Sequence, residues 1–91
     1  MKYTFYEEEF NQGIRRVYTF PNGYGASVIK GPYTYGGKQG KWEMALLKDG
    51  AILYQPPLFE DVIGHLTSKE VDNLLKQISM FTEDTFNDQG K

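Results

Sequence analysis

The apolar positions in the first half of the chain favour short β-strands joined by tight turns. Residues 13–20 (GIRRVYTF) are rich in β-branched and aromatic side chains, which is typical of a strand. The turn sequence Pro-Asn-Gly follows at 21–23, and Asn-Gly is a strong hairpin signal because both residues adopt positive φ at low cost. Residues 25–30 (GASVIK) form the returning strand. The pattern therefore predicts a β-hairpin.

A second hairpin is predicted after an intervening glycine-rich loop. Its first strand, 41–48 (KWEMALLK), is the most apolar strand candidate, and the following Asp49-Gly50 is again a hairpin signal. Residues 51–55 (AILYQ) form the returning strand. It ends at the prolines 56–57, because proline lacks the amide hydrogen that pairing with a neighbouring strand requires.

Two further patterns place these hairpins in one sheet. The strands at 25–30 and 41–48 lack a clean alternation of apolar and polar residues, which is expected in the middle of a small sheet with apolar side chains on both faces. Residues 1–10 alternate weakly before a run of three glutamates, so they form either a short edge strand or an arm. We expect four strands, or five if the N-terminal segment joins.

One amphipathic helix is predicted over residues 68–80. Thr67 and Glu70 have the spacing of a capping box, in which each side chain accepts a hydrogen bond from the other residue's backbone amide. We expect truncation of Leu74 or Ile78 to cost the most stability. The apolar residues that recur on one helix face are Val71, Leu74, Leu75, Ile78 and Phe81.

These elements predict an α+β fold, an antiparallel β-meander packed on one face by the C-terminal helix. Residues 58–66 (LFEDVIGHL) are expected to form a packed connector, since Gly64 and the preceding prolines disfavour a longer helix. Residues 1–81 would form a single domain. The acidic segment 82–91 has one large apolar residue, Phe86, and is predicted to be a flexible tail that folding does not require.

Composition narrows the class of protein. The 91 residues suffice for one small core, and contents of 40% hydrophobic and 15% aromatic residues argue against disorder. The absence of cysteine excludes disulfides and thiolate zinc sites. No apolar run approaches the roughly 18 residues of a membrane span, and the first ten residues carry three glutamates where a signal peptide would be apolar. We therefore expect a cytoplasmic protein without membrane contact.

The net charge of −2 is unevenly distributed along the chain. Residues 11–50 carry six Lys or Arg against two acidic residues, whereas residues 51–91 carry three lysines against seven acidic residues. Two explanations stay open. Either sheet and helix are solvated by different charges, or a basic face opposes an acidic one and orients a partner.

No catalytic constellation is recognisable in the sequence. His65 is the only histidine, no metal-ligand spacing surrounds it, and no serine has a base-bearing motif nearby. A histidine in this position, just before a helix cap, is expected to face solvent or to bond the backbone. The sequence therefore predicts a non-enzymatic protein with no metal and no cofactor.

The segment from Gly31 to Lys41 is the best candidate for a binding surface. It uses about ten residues where a hairpin link needs two to five, and it includes two tyrosines, which offer large rigid contact area at low entropic cost. In the alternative, these tyrosines fold back and cover the open face of the sheet. The predicted contact residues are Tyr33, Tyr35 and Lys38, with Tyr24, Arg15 and Arg16 as weaker candidates.

Two other functions stay open beside protein binding. Aromatic and basic residues interleave here as they do on surfaces that bind single-stranded nucleic acid, although the net negative charge and the lack of an RNA-binding motif weigh against this. A small-ligand binder or an enzyme is the third possibility. The nucleic-acid site would consist of Tyr33, Tyr35, Trp42, Lys30, Lys38 and Lys41.

Three segments resemble a group of small uncharacterised proteins encoded by bacteriophages and prophages. They are NGYGASV at 22–28, YGGKQGKWEMALL at 35–47 and DVIGHLTSKEV at 61–71. The group has no assigned activity, so no functional residue carries over. The resemblance implies action in a bacterial cytoplasm, where small phage proteins often bind and block a host protein, including components of defence. We therefore expect a phage accessory protein whose partner is a host or phage protein, with a homodimer through an edge strand as a further possibility.

Overall fold

The sheet expected from the sequence is present and has more strands than predicted. A computed structural model describes residues 3–34, 37–53 and 62–82 of the chain. Within these residues, six strands and one α-helix confirm the α+β class. The elements are β1 (Phe5–Phe10), β2 (Gly13–Thr19), β3 (Tyr24–Lys30), β4 (Trp42–Lys48), β5 (Ala51–Ile52), β6 (Ile63–Leu66) and α1 (Ser68–Ser79), with a 3₁₀ turn at Gly37–Gln39.

The strands form an antiparallel meander. Neighbours in sequence pair in the order β1-β2-β3-β4-β5, as the hairpin signals predict. The N-terminal segment is a complete strand, since it pairs with β2 along its whole length from Phe5 to Phe10. The segment expected to be a packed connector contains β6, which pairs with β4 at Trp42 and Met44. That expectation was wrong for residues 63–66.

Left-handed backbone conformations lie at the tight turns. Asp49 and Gly50 have φ values of 51° and 86° and join β4 to β5, as expected for Asp-Gly. Gly23 has a φ of 86° in the turn between β2 and β3. Asn11 and Gln12, with φ values of 49° and 65°, join β1 to β2. The sequence pattern missed this last turn because glutamine rarely adopts positive φ.

A β-bulge explains why β6 was not recognised from the sequence. Trp42 lies opposite Leu66 and Met44 lies opposite Ile63, so β6 has one residue more than the facing stretch of β4. Within the bulge His65 has a positive φ of 57°. An inserted residue breaks the two-residue period that identifies a strand.

The strand register places one set of alternate side chains under the helix. Ala26 lies opposite Leu46 and Val28 lies opposite Met44, and each of the four is at most 1% exposed. Helix α1 contacts β3, β4 and β6. The other buried residues of this core are Tyr18, Phe20, Tyr24, Trp42, Leu66, Val71, Leu75 and Ile78.

Helix α1 begins as predicted and requires one correction in its packing. Thr67 and Glu70 form both hydrogen bonds of the capping box. Leu75 and Ile78 are 1% and 0% exposed, whereas Leu74 is only partly buried. With 3.6 residues per turn, Leu74 lies at the edge of the buried stripe. The expectation that Leu74 is among the most important core residues was therefore wrong.

The capping box makes part of the stability depend on pH. Hydrogen bonds from the backbone N–H and then the hydroxyl of Thr67 hold the pKa of Glu70 below its usual value. Such a carboxylate stabilises the fold at pH values above the unfolded-state pKa of about 4.3. This stabilisation is lost as the pH falls through the lower pKa of the folded state. We expect Glu70→Gln to lower the free energy of unfolding at neutral pH and to do so less at about pH 3. Urea denaturation at both pH values measures the difference, and equal losses would contradict it.

Some expectations fall outside the described residues. These are the second half of the strand at 51–55, including Tyr54, and most of the segment 82–91, including Phe86. None of the described helices has the length and apolar content needed to cross a membrane.

Candidate functional site

A tight turn after β3 holds Tyr33 away from the body of the protein. The Thr34 N–H and hydroxyl donate to the Gly31 carbonyl at 3.3 and 3.0 Å, and the Gly31 N–H donates to the Thr34 hydroxyl at 3.1 Å. Pro32 occupies the second position of the turn, where its restricted φ is favourable. Tyr33, in the third position, is 72% exposed. Residues 31–34, which we call the Tyr33 turn, thus present an aromatic ring on a hydrogen-bonded backbone.

Close backbone packing attaches the Tyr33 turn to the end of the sheet. A Cβ atom on Gly13 would lie 2.2 Å from the Lys30 carbonyl oxygen and 2.6 Å from the Gly31 Cα. A Cβ atom on Gly31 would lie 3.0 Å from the Gly13 Cα. Because the atoms approached are backbone atoms, only glycine fits at position 13 without a shift of the chain.

An open groove of about 450 Å³ lies beside the Tyr33 turn, and we call it the loop-end groove. It is formed by residues 12–14 and 30–32 together with Lys38 and Gly40, and its surface is mostly apolar. Among the described residues that line it, Lys30 and Lys38 are the charged ones and none carries a carboxylate. Its volume lies in the range of ligand-binding clefts.

The ring of Trp42 lies against Lys30, one of the two lysines of the groove. The Lys30 Nζ lies 4.6 Å from the centroid of the Trp42 ring, a favourable cation–π contact. Trp42 is 6% exposed, so its ring belongs to the core. Neither Lys30 nor Lys38 forms a salt bridge with a residue that the structure describes. Both cations at the groove are therefore without a carboxylate partner among the described residues.

Arg16, a weaker candidate for the binding surface, is engaged within the sheet. Its Nε donates to Glu7 Oε1 at 2.9 Å, and this hydrogen bond raises the pKa of Arg16. Its guanidinium also lies 5.1 Å from the ring centroids of both Phe5 and Trp42. These contacts hold the side chain against β1 and β4.

Arg15 is engaged in the same way on the opposite face of the sheet. It forms a salt bridge with Glu8 and lies 4.8 Å from the centroid of the Phe10 ring. Neighbouring residues of a strand point to opposite faces, so Arg15 and Arg16 do not form one basic patch. The structure does not bring either of them to the loop-end groove.

Tyr24, the remaining weaker candidate, belongs to the core. Its side chain is 8% exposed, and its ring meets the Phe81 ring edge-on with centroids 5.3 Å apart. It also begins β3, whose far end carries the Tyr33 turn, about 20 Å away for a strand of this length. Burial under the end of the helix thus removes Tyr24 from the candidate surface.

Tyr33 and Lys38 are the predicted site residues that the structure describes as exposed. The 72% exposure of Tyr33 contradicts the alternative in which its ring covers the open face of the sheet. Lys38 is exposed and lines the loop-end groove. Tyr35 lies outside the described residues. Contact with a partner stays a prediction for all three.

The predicted contact residues include Lys38 but leave out most of the groove lining, namely Gln12, Gly13, Ile14, Lys30, Gly31, Pro32 and Gly40. Gln12 and Ile14 come from the β1–β2 hairpin, far from the loop in sequence, and the register of the sheet brings them to it. Pro32 had a recognisable signal, because Gly-Pro-Tyr-Thr has proline at the second position of a β-turn. The sequence predicts a contact role for Lys30 only in the nucleic-acid alternative.

A metal site can be judged only among the residues that the structure describes. In residues 3–34, 37–53 and 62–82, no group of three His, Asp or Glu side chains is arranged to hold a metal ion. His65 is exposed on β6. What the arrangement offers chemically is an aromatic ring, two cations and an apolar surface at one end of the sheet.

Comparison of the chain with known protein families, with curated proteins and with solved structures found no match. A functional assignment therefore depends on the geometry of the Tyr33 turn and the loop-end groove.

Proposed function

We propose that this protein is a non-enzymatic binding module that recognises another protein through the Tyr33 turn and the loop-end groove. The observation that supports this best is the 72% exposure of Tyr33 on a turn closed by three hydrogen bonds. A turn whose backbone is already ordered loses less backbone freedom on binding, so more of the contact energy of its side chain contributes to affinity. Tyrosine is also among the side chains enriched at the centres of interfaces.

The bacteriophage resemblance supplies the setting of the proposal. We infer an accessory protein that acts in the bacterial cytoplasm, where it binds a host or phage protein and modulates or inhibits it. A component of host defence is one such target. One of the segments that carry the resemblance, at 35–47, includes Lys38 and Gly40 of the groove.

Single-stranded nucleic acid is the second candidate partner. An exposed tyrosine on a turn whose Gly31 and Pro32 line the same groove as Lys30 and Lys38 has the chemistry of a base-stacking surface. Trp42, however, would belong to the stacking residues of such a site and is 6% exposed beneath Lys30. A chain with net charge −2 also lacks a long-range attraction to phosphate. We therefore prefer a protein partner.

A homodimer through an edge strand fits the charge of β1 poorly. β1 ends the sheet, and its outer side pairs with no described strand. Glu7, Glu8 and Glu9 lie near its middle. Antiparallel pairing of two copies would bring these glutamates opposite one another, and like charges in that position are destabilising. This favours binding of a partner at the loop-end groove over pairing of two copies through β1.

A pulldown from bacterial lysate tests the proposed function. We expect the wild-type protein to retain one stoichiometric protein and Tyr33→Ala to lose it, since the substitution removes the exposed ring. The melting temperature should be unchanged because surface substitutions of this kind alter stability by no more than about 0.5 kcal/mol. Tyr6→Ala is the matched control, because Tyr6 is 57% exposed on β1 and the same atoms are removed.

Three results would count against the proposal. Retention of the partner by Tyr33→Ala at the wild-type level would remove the tyrosine from the interface. A lowered melting temperature with binding intact in the folded fraction would make Tyr33 a structural residue. The protein could instead retain oligonucleotides and no protein partner, with a retention that falls steeply as salt is added. This result would favour single-stranded nucleic acid as the partner.

A further inference from the structure

The charges at the loop-end groove differ from those on the neighbouring strands. Arg15 and Arg16 of β2 are each paired with a glutamate of β1. Lys30 and Lys38 line the groove, and neither is paired with a carboxylate among the described residues. The cations of β2 are thus neutralised within the sheet, whereas those of the groove are open to charges from a partner.

The surface between the two lysines is suited to an apolar group. Ile14 and Pro32 contribute side chains to it, and Gly13 and Gly31 contribute backbone in close contact. An apolar side chain placed there gains about 25 cal/mol for each Å² of apolar surface removed from water. The same burial lowers the local dielectric constant, which strengthens the attraction between a lysine at the rim and a partner carboxylate.

We propose that the loop-end groove binds a segment of a partner protein in which one apolar side chain is flanked by carboxylates. This inference rests on the proposed function and narrows the partner to a chemical class. The apolar side chain would lie against Ile14 and Pro32, beside the ring of Tyr33. Lys30, which the Trp42 ring holds in place, and Lys38 would meet the carboxylates.

Fluorescence anisotropy with two synthetic peptides tests this preference. The acidic probe is a labelled peptide of about ten residues with a central phenylalanine between two pairs of glutamates, and the basic probe has lysines in place of the glutamates. We expect the wild-type protein to bind the acidic probe and not the basic one. Lys38→Glu should weaken binding of the acidic probe about tenfold and create binding of the basic one.

Lys76→Glu is the matched control for the charge reversal. Lys76 is exposed on α1 and does not line the groove, so the same change in net charge should leave the preference between the probes as in the wild type. Equal binding of both probes by the wild-type protein overturns the inference. The inference is also overturned if Lys38→Glu leaves the preference for the acidic probe unchanged. It is likewise overturned if Lys76→Glu changes that preference as much as Lys38→Glu does.

The pulldown separates a failure of this inference from a failure of the proposed function. If the protein captures its partner in a Tyr33-dependent manner but does not bind the acidic probe, the inferred partner class is wrong and the proposed function stands. If the acidic probe binds but capture does not depend on Tyr33, the groove preference stands and the proposed function fails. Tighter binding of a labelled oligothymidylate than of the acidic probe assigns the groove to nucleic acid and overturns the inference.

The chain itself contains a segment of the inferred chemistry, and the experiment distinguishes it from a partner. Phe86 is surrounded in sequence by Glu83, Asp84 and Asp88. If Phe86→Ala binds the acidic probe about tenfold more tightly than the wild type, this segment competes for the groove and the inference of a partner protein is overturned. Equal affinity of the wild type and Phe86→Ala for the acidic probe supports a partner protein as the occupant of the groove.

Discussion

Replacement of Leu75 by alanine lowers the free energy of unfolding by about 2–5 kcal/mol, the usual cost of truncating a fully buried leucine. Leu75 is 1% exposed and belongs to the core between α1 and the sheet. The loss combines the removed apolar burial with the cavity left behind. Since small domains have a total stability of about 5–15 kcal/mol, the variant should unfold at a much lower urea concentration.

Leu74→Ala is the matched control for this prediction. It removes the same atoms from the neighbouring residue, which is only partly buried. Its loss should therefore be clearly smaller than that of Leu75→Ala when both are measured by urea denaturation followed by circular dichroism. Equal losses, or the reverse order, would mean that α1 presents a different face to the sheet.

Replacement of Asn22 by alanine is expected to cost about 1–3 kcal/mol, because three hydrogen bonds are lost together. The Asn22 Nδ2 donates at 2.9 Å to the carbonyl of Ile78, in the last turn of α1, and at 3.0 Å to that of Phe81, just after the helix. Its Oδ1 accepts from the Tyr24 N–H at 2.9 Å. One side chain thus joins the β2–β3 turn to the C-terminal end of the helix, and thermal denaturation measures its contribution.

Two further variants make the Asn22 prediction specific. Asn22→Asp keeps the acceptor for Tyr24 but places a negative charge against carbonyl oxygens at the negative end of the helix dipole. It should destabilise at least as much as alanine at neutral pH. Asn73→Ala, on the exposed side of α1, should cause no loss. Wild-type stability of Asn22→Asp would show that the donated bonds to the helix are unimportant.

The hairpins and the helix start were predictable because their signals are local. The turn residues Asp49 and Gly50 have positive φ, as their types favour. Thr67 and Glu70 form the capping box that their spacing predicts. In each case the residues that determine the conformation lie within four positions of each other, so no knowledge of distant contacts is needed.

The strand β6 and the turn at Asn11 and Gln12 were not predictable because they depend on pairing with distant residues. β6 forms against β4, some twenty positions earlier in the chain, and its bulge at His65 disrupts the alternation that marks a strand. Gln12 adopts an unfavourable positive φ since the pairing of β1 with β2 requires a two-residue connection. Tertiary pairing overrides local preference at both places.

For the candidate site, residue type identified the loop and tertiary structure decided which of its candidates are accessible. Tyr33 and Tyr24 are both tyrosines of the same glycine-rich segment, yet Tyr33 is 72% exposed and Tyr24 is 8% exposed. Tyr33 lies in a turn closed by its own neighbours, whereas Tyr24 begins a strand under the helix. Sequence contains no local sign of that difference, because exposure depends on what the rest of the chain places above a residue.

The amino-acid sequence by itself determined the α+β class, two of the hairpin turns, the position of the helix and the presence of an unusual Gly- and Tyr-containing loop. Each follows from periodicity, turn chemistry or capping, which act between residues close in the chain. Only the tertiary structure decided that Arg15 and Arg16 are paired within the sheet and that Lys30 and Lys38 meet at one groove. Strand register decides this, because pairing brings charges from separate strands together or leaves them without a partner.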